Sequence, residues 1–319
     1  MTSATVPLKD MKKGNSASEE RLQKNRKRRA LKETLTGYGV IAPWLIGFFG
    51  LTLGPVLMSL YLSFTDYNIL SAPSWIGLDN YVRALTNDPR FFNSVRVTLM
   101  FVFVSVPIRL AIALVLAVIF KKRRPGTGIF TTIYYIPSII GGSVAIAVVW
   151  RQLFGRDGAF NAFLSIFGFE AFPWLVSPDT AIWMLILLSL WQFGSPMIIF
   201  LAGLRQIPKE LYEAASIDGA SGIGQFFKIT LPMLSPVIFF NLVMQLIGGF
   251  MVFNSGFLIT QGGPLGSTTF YSIYLYEMAF EVLRMGYASA LAWILLVIIG
   301  FFTTLVFLSQ KHWVHYTGE

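Results

Sequence analysis

Six long apolar stretches divide the chain, at about 38–63, 98–120, 129–153, 181–203, 236–259 and 288–309. Each is long enough to cross a bilayer, because about 20 helical residues span a hydrocarbon core of about 30 Å. That core offers no water to backbone N–H and C=O groups, so the stretches must be helical. The pattern predicts an all-α membrane protein with six transmembrane helices.

Several of these spans contain proline and glycine. Proline removes a backbone donor and kinks a helix, whereas glycine lets a second helix approach closely. Two interpretations remain open: close helix packing, or bent helices that surround a solvated path. The residues are Pro43, Gly47, Gly50, Gly54 and Pro55 in the first span, Pro137, Gly141 and Gly142 in the third, Gly194, Ser195 and Pro196 in the fourth, and Gly248 and Gly249 in the fifth.

Positive charges are distributed unevenly around the spans. With the N-terminus placed inside, eighteen of the 25 Lys/Arg residues fall on the inner side and six on the outer side, and ten of the eighteen lie in residues 1–36. Inner loops of membrane proteins carry the excess of Lys/Arg, so both termini are predicted to be cytoplasmic. Residues 1–36 are interpreted as a basic cytoplasmic tail and residues 37–315 as a multi-pass membrane domain. A nucleic-acid interpretation of the tail is disfavoured because a basic segment before a span is typical of cytoplasmic retention.

Composition agrees with a membrane protein. Hydrophobic residues make up 55% of the chain and charged residues 13%, against about 25% charged in soluble domains. The chain has no cysteine, which excludes disulfides, thiol catalysis and cysteine-ligated metals. The N-terminal charged region is too long for a cleaved signal peptide, and the following span is long enough to cross a bilayer.

No catalytic machinery is evident. The chain contains no G-x-x-x-x-G-K-[ST] phosphate loop, and Gly219, Gly222 and Gly224 have the wrong spacing for a dinucleotide fingerprint. The two histidines, His312 and His315, have no acids or cysteines near them, which argues against a metal site. The chain is therefore predicted not to be an enzyme and to hold no cofactor or metal.

The long inner loop, 205–235, predicts two short helices. Residues 208–218 are helix-compatible, Pro208 suits a first helical turn, and Gly219 suits a turn that needs positive φ. A second helix at about 222–229 is predicted to stop at Pro232 before the fifth span. Exposed apolar residues rimmed by charge are typical of a protein interface. The alternative is an amphipathic helix pair lying on the inner membrane surface.

This loop resembles a known family. The residues Glu213-Ala214-Ala215, Gly219 and Ile229-x-Leu231-Pro232 match every fixed position of E-A-A-x(3)-G-x(9)-I-x-L-P, the EAA motif of permease subunits of bacterial ABC importers. The segments SFTDYN (63–68), WIGLDNYVRAL (75–85), YYIPSI (134–139) and GYASALAW (286–293) are similar to the sugar-importer branch. The resemblance covers roughly residues 38–315.

The resemblance implies a MetI-like, type I ABC importer permease in the bacterial cytoplasmic membrane. It implies four kinds of partner: a second homologous permease, two ATPase subunits that bind ATP and Mg, an extracytoplasmic solute-binding protein, and a saccharide substrate. The loop would act as a coupling helix against an ATPase subunit. The implied coupling residues are Glu213, Ala214, Ala215, Gly219, Phe226, Ile229, Leu231 and Pro232.

Two sets of polar residues within the spans are candidates for a substrate path. Asn241, Gln245 and Gly248 recur at helical spacing on the fifth span, where polar groups either contact substrate or tie helices together. Arg109 lies near the middle of the second span, and an intramembrane arginine usually faces a pore or a partner. The spans contain no acid to pair with it, so its partner is left open between another subunit, a backbone carbonyl and an acidic substrate.

Two further function classes compete with an importer subunit. A stand-alone secondary transporter or channel would usually need intramembrane carboxylates, which the predicted spans lack. A non-transporting scaffold or receptor is the other class. Copurification with an ATPase would discriminate among the three.

Overall fold

The computed structural model describes residue 29, residues 31–122 and residues 125–315, so most of the predicted basic tail lies outside the described residues. The chain divides into two compact units, one ending at Tyr61 and one beginning at Leu62. The helices are α1 Leu31–Ser63, α2 Asp79–Thr86, α3 Pro89–Phe120, α4 Thr127–Ile140, α5 Val144–Leu153, α6 Ala159–Ser165, α7 Ala181–Trp191, α8 Gly194–Gln206, α9 Lys209–Ile217, α10 Gly222–Gln225, α11 Leu231–Phe250, α12 Asn254–Ile259, α13 Tyr271–Tyr276 and α14 Met285–Ser309.

The predicted all-α membrane architecture is confirmed. Five segments of the described chain are long and apolar enough to cross a membrane: Leu31–Ser63, Pro89–Phe120, Ala181–Gln206, Gly222–Ile259 and Met285–His312. The bent pair formed by α4 and α5 gives a sixth when it is counted as one span. The strands of the described chain, β1 Thr65–Asp66 and β2 Ser74–Trp75, form one small antiparallel pair with Thr65 opposite Trp75.

The third predicted span, 129–153, is not one continuous helix. It breaks between α4 and α5, whose axes differ by 97°. The helix ends at Gly141-Gly142, and Ser143 caps the new helix through its Oγ, which accepts a hydrogen bond from the Ile146 amide at 3.4 Å. A side chain is excluded at Gly141 because a Cβ there would collide with the Gln192 side chain, whereas a Cβ at Gly142 would meet no atom within 4 Å. The apolar segment is present as predicted, and its break at Gly141-Gly142 agrees with the bent-helix interpretation that the sequence left open.

Helix α3 is the centre of the second unit. It packs against α7, α8, α11 and α13. Phe101 and Val102 on α3, Leu185 on α7, and Phe200 and Leu204 on α8 are among the buried apolar residues of this core. Their burial removes apolar surface from contact with water and lipid, and close packing of this kind drives helix association in membranes. The helices that carry the polar candidates, α3, α7 and α11, are therefore held against one another.

A buried carboxylate joins the start of α3 to two later helices. Asp88 caps α3 by accepting a hydrogen bond from the Phe91 amide at 3.1 Å, and it also accepts hydrogen bonds from the hydroxyls of Tyr274 and Tyr287. The neighbouring Arg90 forms an ion pair with Glu277. Burial alone raises the pKa of Asp88, but the hydrogen bonds from the two tyrosines and from backbone amides favour the carboxylate and leave that pKa below its usual value.

We expect Asp88→Asn to destabilise the protein at neutral pH and Tyr274→Phe to do so by about 1.5–3 kcal/mol, because hydrogen bonds to a buried charge are lost. A lowered folded-state pKa contributes stability above the unfolded pKa of about 3.9, and this contribution disappears as the pH falls through the folded value. The gap in thermal unfolding midpoint between the wild type and Asp88→Asn should therefore narrow below about pH 4. Exposed Asp157→Asn is the control, and an equal midpoint for wild type and Asp88→Asn at pH 7 would contradict the expectation.

Candidate substrate cavity and coupling loop

The predicted helix–turn–helix of the inner loop is present. Helix α9 ends at Ile217, and Gly219 has a φ of +77°, the left-handed conformation that favours glycine. Ser221 then begins α10, since its side chain accepts a hydrogen bond from the Gly224 amide at 3.2 Å. The predicted positive φ at Gly219 is confirmed.

The prediction that Pro232 ends the second short helix is wrong. Helix α10 continues through a π-helical turn, Phe226–Thr230, directly into α11, and Pro232 lies in the first turn of α11. Proline is tolerated there because the wider turn changes the hydrogen-bond register: the Leu231 amide bonds to the Phe226 carbonyl, five residues back. As a result the loop joins the fifth span without a flexible joint.

Three large apolar side chains of the loop are strongly exposed. The exposed fractions are 87% for Ile217, 74% for Ile223 and 61% for Phe227. Among the motif residues, Glu213, Ala214 and Gly219 are exposed, whereas Ala215, Phe226, Ile229, Leu231 and Pro232 are partly buried. The motif therefore has an exposed part on α9 and the turn, and a partly buried part that connects to α11.

A large basic cavity lies beside this loop. Its volume is about 1200 Å³, and four cations line it: Lys121, Lys122, Arg205 and Lys209. The Lys121 ammonium lies 3.7 Å from the centre of the Tyr212 ring, and the Tyr212 hydroxyl is 2.9 Å from Thr230 Oγ1. No carboxylate of the described residues lines the cavity. The side of the loop that faces the ends of α3 and α8 is therefore strongly electropositive.

A second cavity, of about 370 Å³, lies among α3, α7, α11 and the break between α4 and α5. Polar residues line it from four helices: Arg109 on α3, Ser189 on α7, Gln245 on α11, and Asn254 and Ser255 on α12. Gly141 and Gly142 at the helix break and Gly248 on α11 also line the cavity, together with Gln192 at the end of α7. Asn254 Nδ2 is 3.4 Å from the Gly142 carbonyl oxygen, which links the helix break to α12.

Arg109 forms hydrogen bonds with two neutral side chains of its own chain. It donates to Gln245 Oε1 at 2.8 Å and to Ser189 Oγ. Its Nε is buried and has no hydrogen-bond partner among the described residues. No carboxylate of the described chain forms an ion pair with it. The sequence left open whether Arg109 bonds to a backbone carbonyl, and its observed partners are side chains instead. No negative charge among the described residues compensates its positive charge.

The structure brings together three of the four predicted path residues. Arg109, Gln245 and Gly248 line the same cavity. Asn241 is fully buried, and its Nδ2 donates to the Val237 carbonyl of the preceding turn at 3.2 Å. Its Oδ1 has no partner among the described residues. The burial of Asn241 favours the helix-packing role that the sequence left open for it.

Sequence reasoning missed Ser189, Gln192 and Asn254 as cavity residues. Ser189 and Gln192 stand three residues apart in the apolar fourth stretch, so the test that selected Asn241 and Gln245 would have found them. Asn254 has no comparable signal, because its position depends on the break between α11 and α12.

The comparisons with known proteins agree on one family. Residues 84–315 match the profile of the binding-protein-dependent transport system inner membrane component. A probable ABC transporter permease protein, YesP of Bacillus subtilis, is 50% identical over 309 residues, which cover 96% of this chain and 99% of that protein. The lactose transport system permease protein LacF of Rhizobium radiobacter is 32% identical and covers 87% of this chain and 94% of its own length.

A solved structure has the same fold. It is a bacterial ABC transporter involved in the import of the acidic polysaccharide alginate, with a TM-score of 0.77 and 25% sequence identity over 90% of this chain and 99% of that chain. The family profile covers most of the membrane region, and the relatives are matched over nearly their whole length. This chain belongs to the family of binding-protein-dependent transport system inner membrane components, the permeases of ABC transporters.

Proposed function

We propose that this chain is one permease subunit of an ABC importer for an oligosaccharide. A second homologous permease would complete the pore, and two ATPase subunits would bind ATP and Mg and drive transport. An extracytoplasmic solute-binding protein would deliver the substrate. The observation that carries the proposal is the EAA loop: its motif begins on exposed α9, and after the Gly219 turn its second helix, α10, continues through the π-helical turn, without a break, into a helix that lines the polar cavity.

The substrate class is supported by the relatives and by the cavity. LacF is named for lactose transport, and the solved structure is described as importing alginate. In this chain, Arg109, Gln245 and the backbone of Gly141 and Gly142 line the cavity with hydrogen-bonding groups, while Met244, Met251 and Phe253 supply apolar surface. Few placed polar groups beside apolar side chains are typical of small-molecule sites. We assign Arg109, Gln245 and Gly248 to the substrate path.

The coupling role is supported by the surface of the loop. Exposed Ile217, Ile223 and Phe227 would be covered by an ATPase subunit, and covering apolar area contributes about 25 cal/mol per Å². Glu213 would supply a charge that pairs within that contact, where the pair would be shielded from water. In the alternative arrangement, the two helices of the loop would lie on the membrane surface, and lipid would cover the same apolar face.

Reconstitution tests this proposal against a stand-alone transporter. The complete complex in vesicles should take up a labelled oligosaccharide only when ATP, the ATPase subunits and the binding protein are all present. A secondary transporter would need only this chain and an ion gradient. Uptake by this chain alone would overturn the proposal.

We predict that both termini face the cytoplasm. The chain has no cysteine, so single cysteines report orientation cleanly. Asn15 and Gly318 would report directly on the termini and lie outside the described residues. Leu265, which is 94% exposed, is a better outer probe than Ser267, whose hydroxyl is buried, and exposed His312 reports the inner side.

In intact cells, an impermeant thiol reagent should label Leu265→Cys and leave His312→Cys unlabelled. After permeabilisation it should label both. Labelling of His312→Cys in intact cells would contradict the predicted orientation.

A further inference from the structure

We propose that the cavity around Arg109 binds a carboxylate of an acidic sugar, so that the imported oligosaccharide contains uronate units. This inference rests on the proposed import function and concerns the substrate class of the same cavity. It begins from one feature: a guanidinium within a membrane span that contacts neutral side chains and lines an open cavity.

The charge of Arg109 is the first argument. A charged side chain at the centre of a bilayer costs about 2.5–3.5 kcal/mol or more, so such residues usually face water or a partner. Its two partners, Gln245 and Ser189, are neutral, and they leave its positive charge uncompensated among the described residues. A residue that only tied α3 to α7 and α11 could do so with a neutral amide. A retained positive charge is explained by an anion that is present during part of the transport cycle.

The geometry of the guanidinium is the second argument. A planar guanidinium can bind a carboxylate through two parallel hydrogen bonds, and such charge-assisted bonds are roughly twice as strong as neutral ones. A carboxylate that entered the cavity could therefore displace Gln245 Oε1, which Arg109 contacts at 2.8 Å. Gln245 would then be free to hydrogen-bond a sugar hydroxyl, since an amide both donates and accepts.

The cavity itself is the third argument. Its volume of about 370 Å³ falls in the range of small-molecule sites, which is about 300–1,000 Å³. Asn254 and the backbone of Gly141-Gly142 also line the cavity, and Phe253 offers a ring for the apolar face of a sugar. No carboxylate of the described residues lines the cavity, so an anionic ligand meets no like charge there.

Binding to the complete transporter complex tests this directly. The probes are pairs of disaccharides with the same linkage and stereochemistry, one a uronate and the other neutral, used without the binding protein so that only the membrane site is measured. The wild-type complex should bind the acidic member of at least one pair about tenfold more tightly than the neutral member, because a charge-assisted bond replaces a neutral one.

Three variants separate charge from packing. Arg109→Gln should abolish the acidic preference. Gln245→Glu should also abolish it while Arg109 is kept, because the new carboxylate would pair with the guanidinium and cancel its charge. Gln245→Met is the matched control: it removes the same hydrogen bond and leaves the charge, so the preference should persist. Coelution of each variant with its partner subunits monitors folding.

Equal binding of acidic and neutral members, or no binding of either, would overturn the inference. Persistence of the preference for acidic disaccharides in both the Arg109→Gln and the Gln245→Glu variants would overturn it as well. Failure here is distinguishable from failure of the proposed function. ATP-dependent uptake of a neutral oligosaccharide by the wild type, without any acidic preference, would refute only the uronate assignment.

Discussion

Gly219→Val is expected to lower uptake and substrate-stimulated ATP hydrolysis together, by more than tenfold, while membrane insertion and pairing with the second permease survive. The reason is the backbone conformation that the turn requires at Gly219, not a lack of room for a side chain. Gly219 has a φ of +77°, and an added Cβ would meet no atom within 4 Å. A β-branched residue is a strong outlier at positive φ, and the left-handed conformation costs an L-residue about 1–2 kcal/mol. The turn would therefore rearrange and α9 would change its direction.

Gly222→Val is the matched control for this experiment. It lies three residues further along the same loop, an added Cβ there also meets nothing within 4 Å, and its φ is not in the left-handed region. It should leave coupling nearly intact. Full ATPase assembly and normal uptake with Gly219→Val would mean that the loop is not the coupling element.

Glu213→Ala should act on the same step by a different route. Glu213 is exposed on α9, so its removal should not affect folding of this chain. Truncating one partner of a charge pair that is buried at an interface costs about 2–5 kcal/mol. We therefore expect weaker association with the ATPase subunits, measured by copurification, and a parallel loss of uptake. Exposed Glu210→Ala, one turn earlier on α9, is the control.

The sequence predicted well what depends on neighbouring residues. Length and apolar content located the spans, and the position of Gly219 after a helical stretch predicted its positive φ. The same local rules failed where one tendency ended a helix and another continued it. Pro232 was predicted to stop a helix. The π-helical turn just before it shifts the hydrogen-bond register, so the proline is accommodated and the helix continues. Gly141 and Gly142 were recognised in the third span, but the 97° angle and the close approach of Gln192 to Gly141 could not be inferred from neighbouring residues.

Contacts between residues far apart in the sequence could not be predicted from local patterns. Asp88 accepts hydrogen bonds from Tyr274 and Tyr287, which lie almost two hundred residues away in the sequence, and no motif or spacing predicts these contacts. Arg109 was recognised from its cost in a membrane, but its partners Gln245 and Ser189 lie on two other helices. The chemistry of single residues in the cavity could be predicted, whereas their assembly into one cavity depends on how α3, α7 and α11 pack.

Three segments that resembled sugar-importer permeases meet at one place in the structure. The backbone just after α1, within SFTDYN, receives two hydrogen bonds from Asn80 Nδ2, to the carbonyls of Ser63 and Thr65 at 3.0 and 2.9 Å. It also accepts a hydrogen bond at Tyr67 O from the amide of Gly286, at 3.0 Å. The start of α14 is thereby fixed against the segment that follows α1.

Gly286→Ala should therefore cause a severe loss of folded protein. A Cβ at this position would overlap the Thr65 carbonyl oxygen and press on the Tyr67 amide, which are both backbone atoms and cannot rotate away. Overpacking a tight site costs about 1–3 kcal/mol, and the cost should lie at the upper end here because the hydrogen bonds to Gly286 and Asn80 would be strained together. The expected result is a lower thermal unfolding midpoint of the purified permease and less protein in the membrane.

Gly300→Ala, on the same helix α14, gives this prediction its control. An added Cβ at Gly300 meets nothing within 4 Å, so the two variants make the same chemical change in one helix and differ in what surrounds it. Gly300→Ala should keep the wild-type unfolding midpoint or raise it slightly, because alanine is the better helix former by about 1 kcal/mol. If both variants unfold at the wild-type midpoint, the close approach of α14 to the Thr65–Tyr67 backbone is not what stabilises this end of the protein.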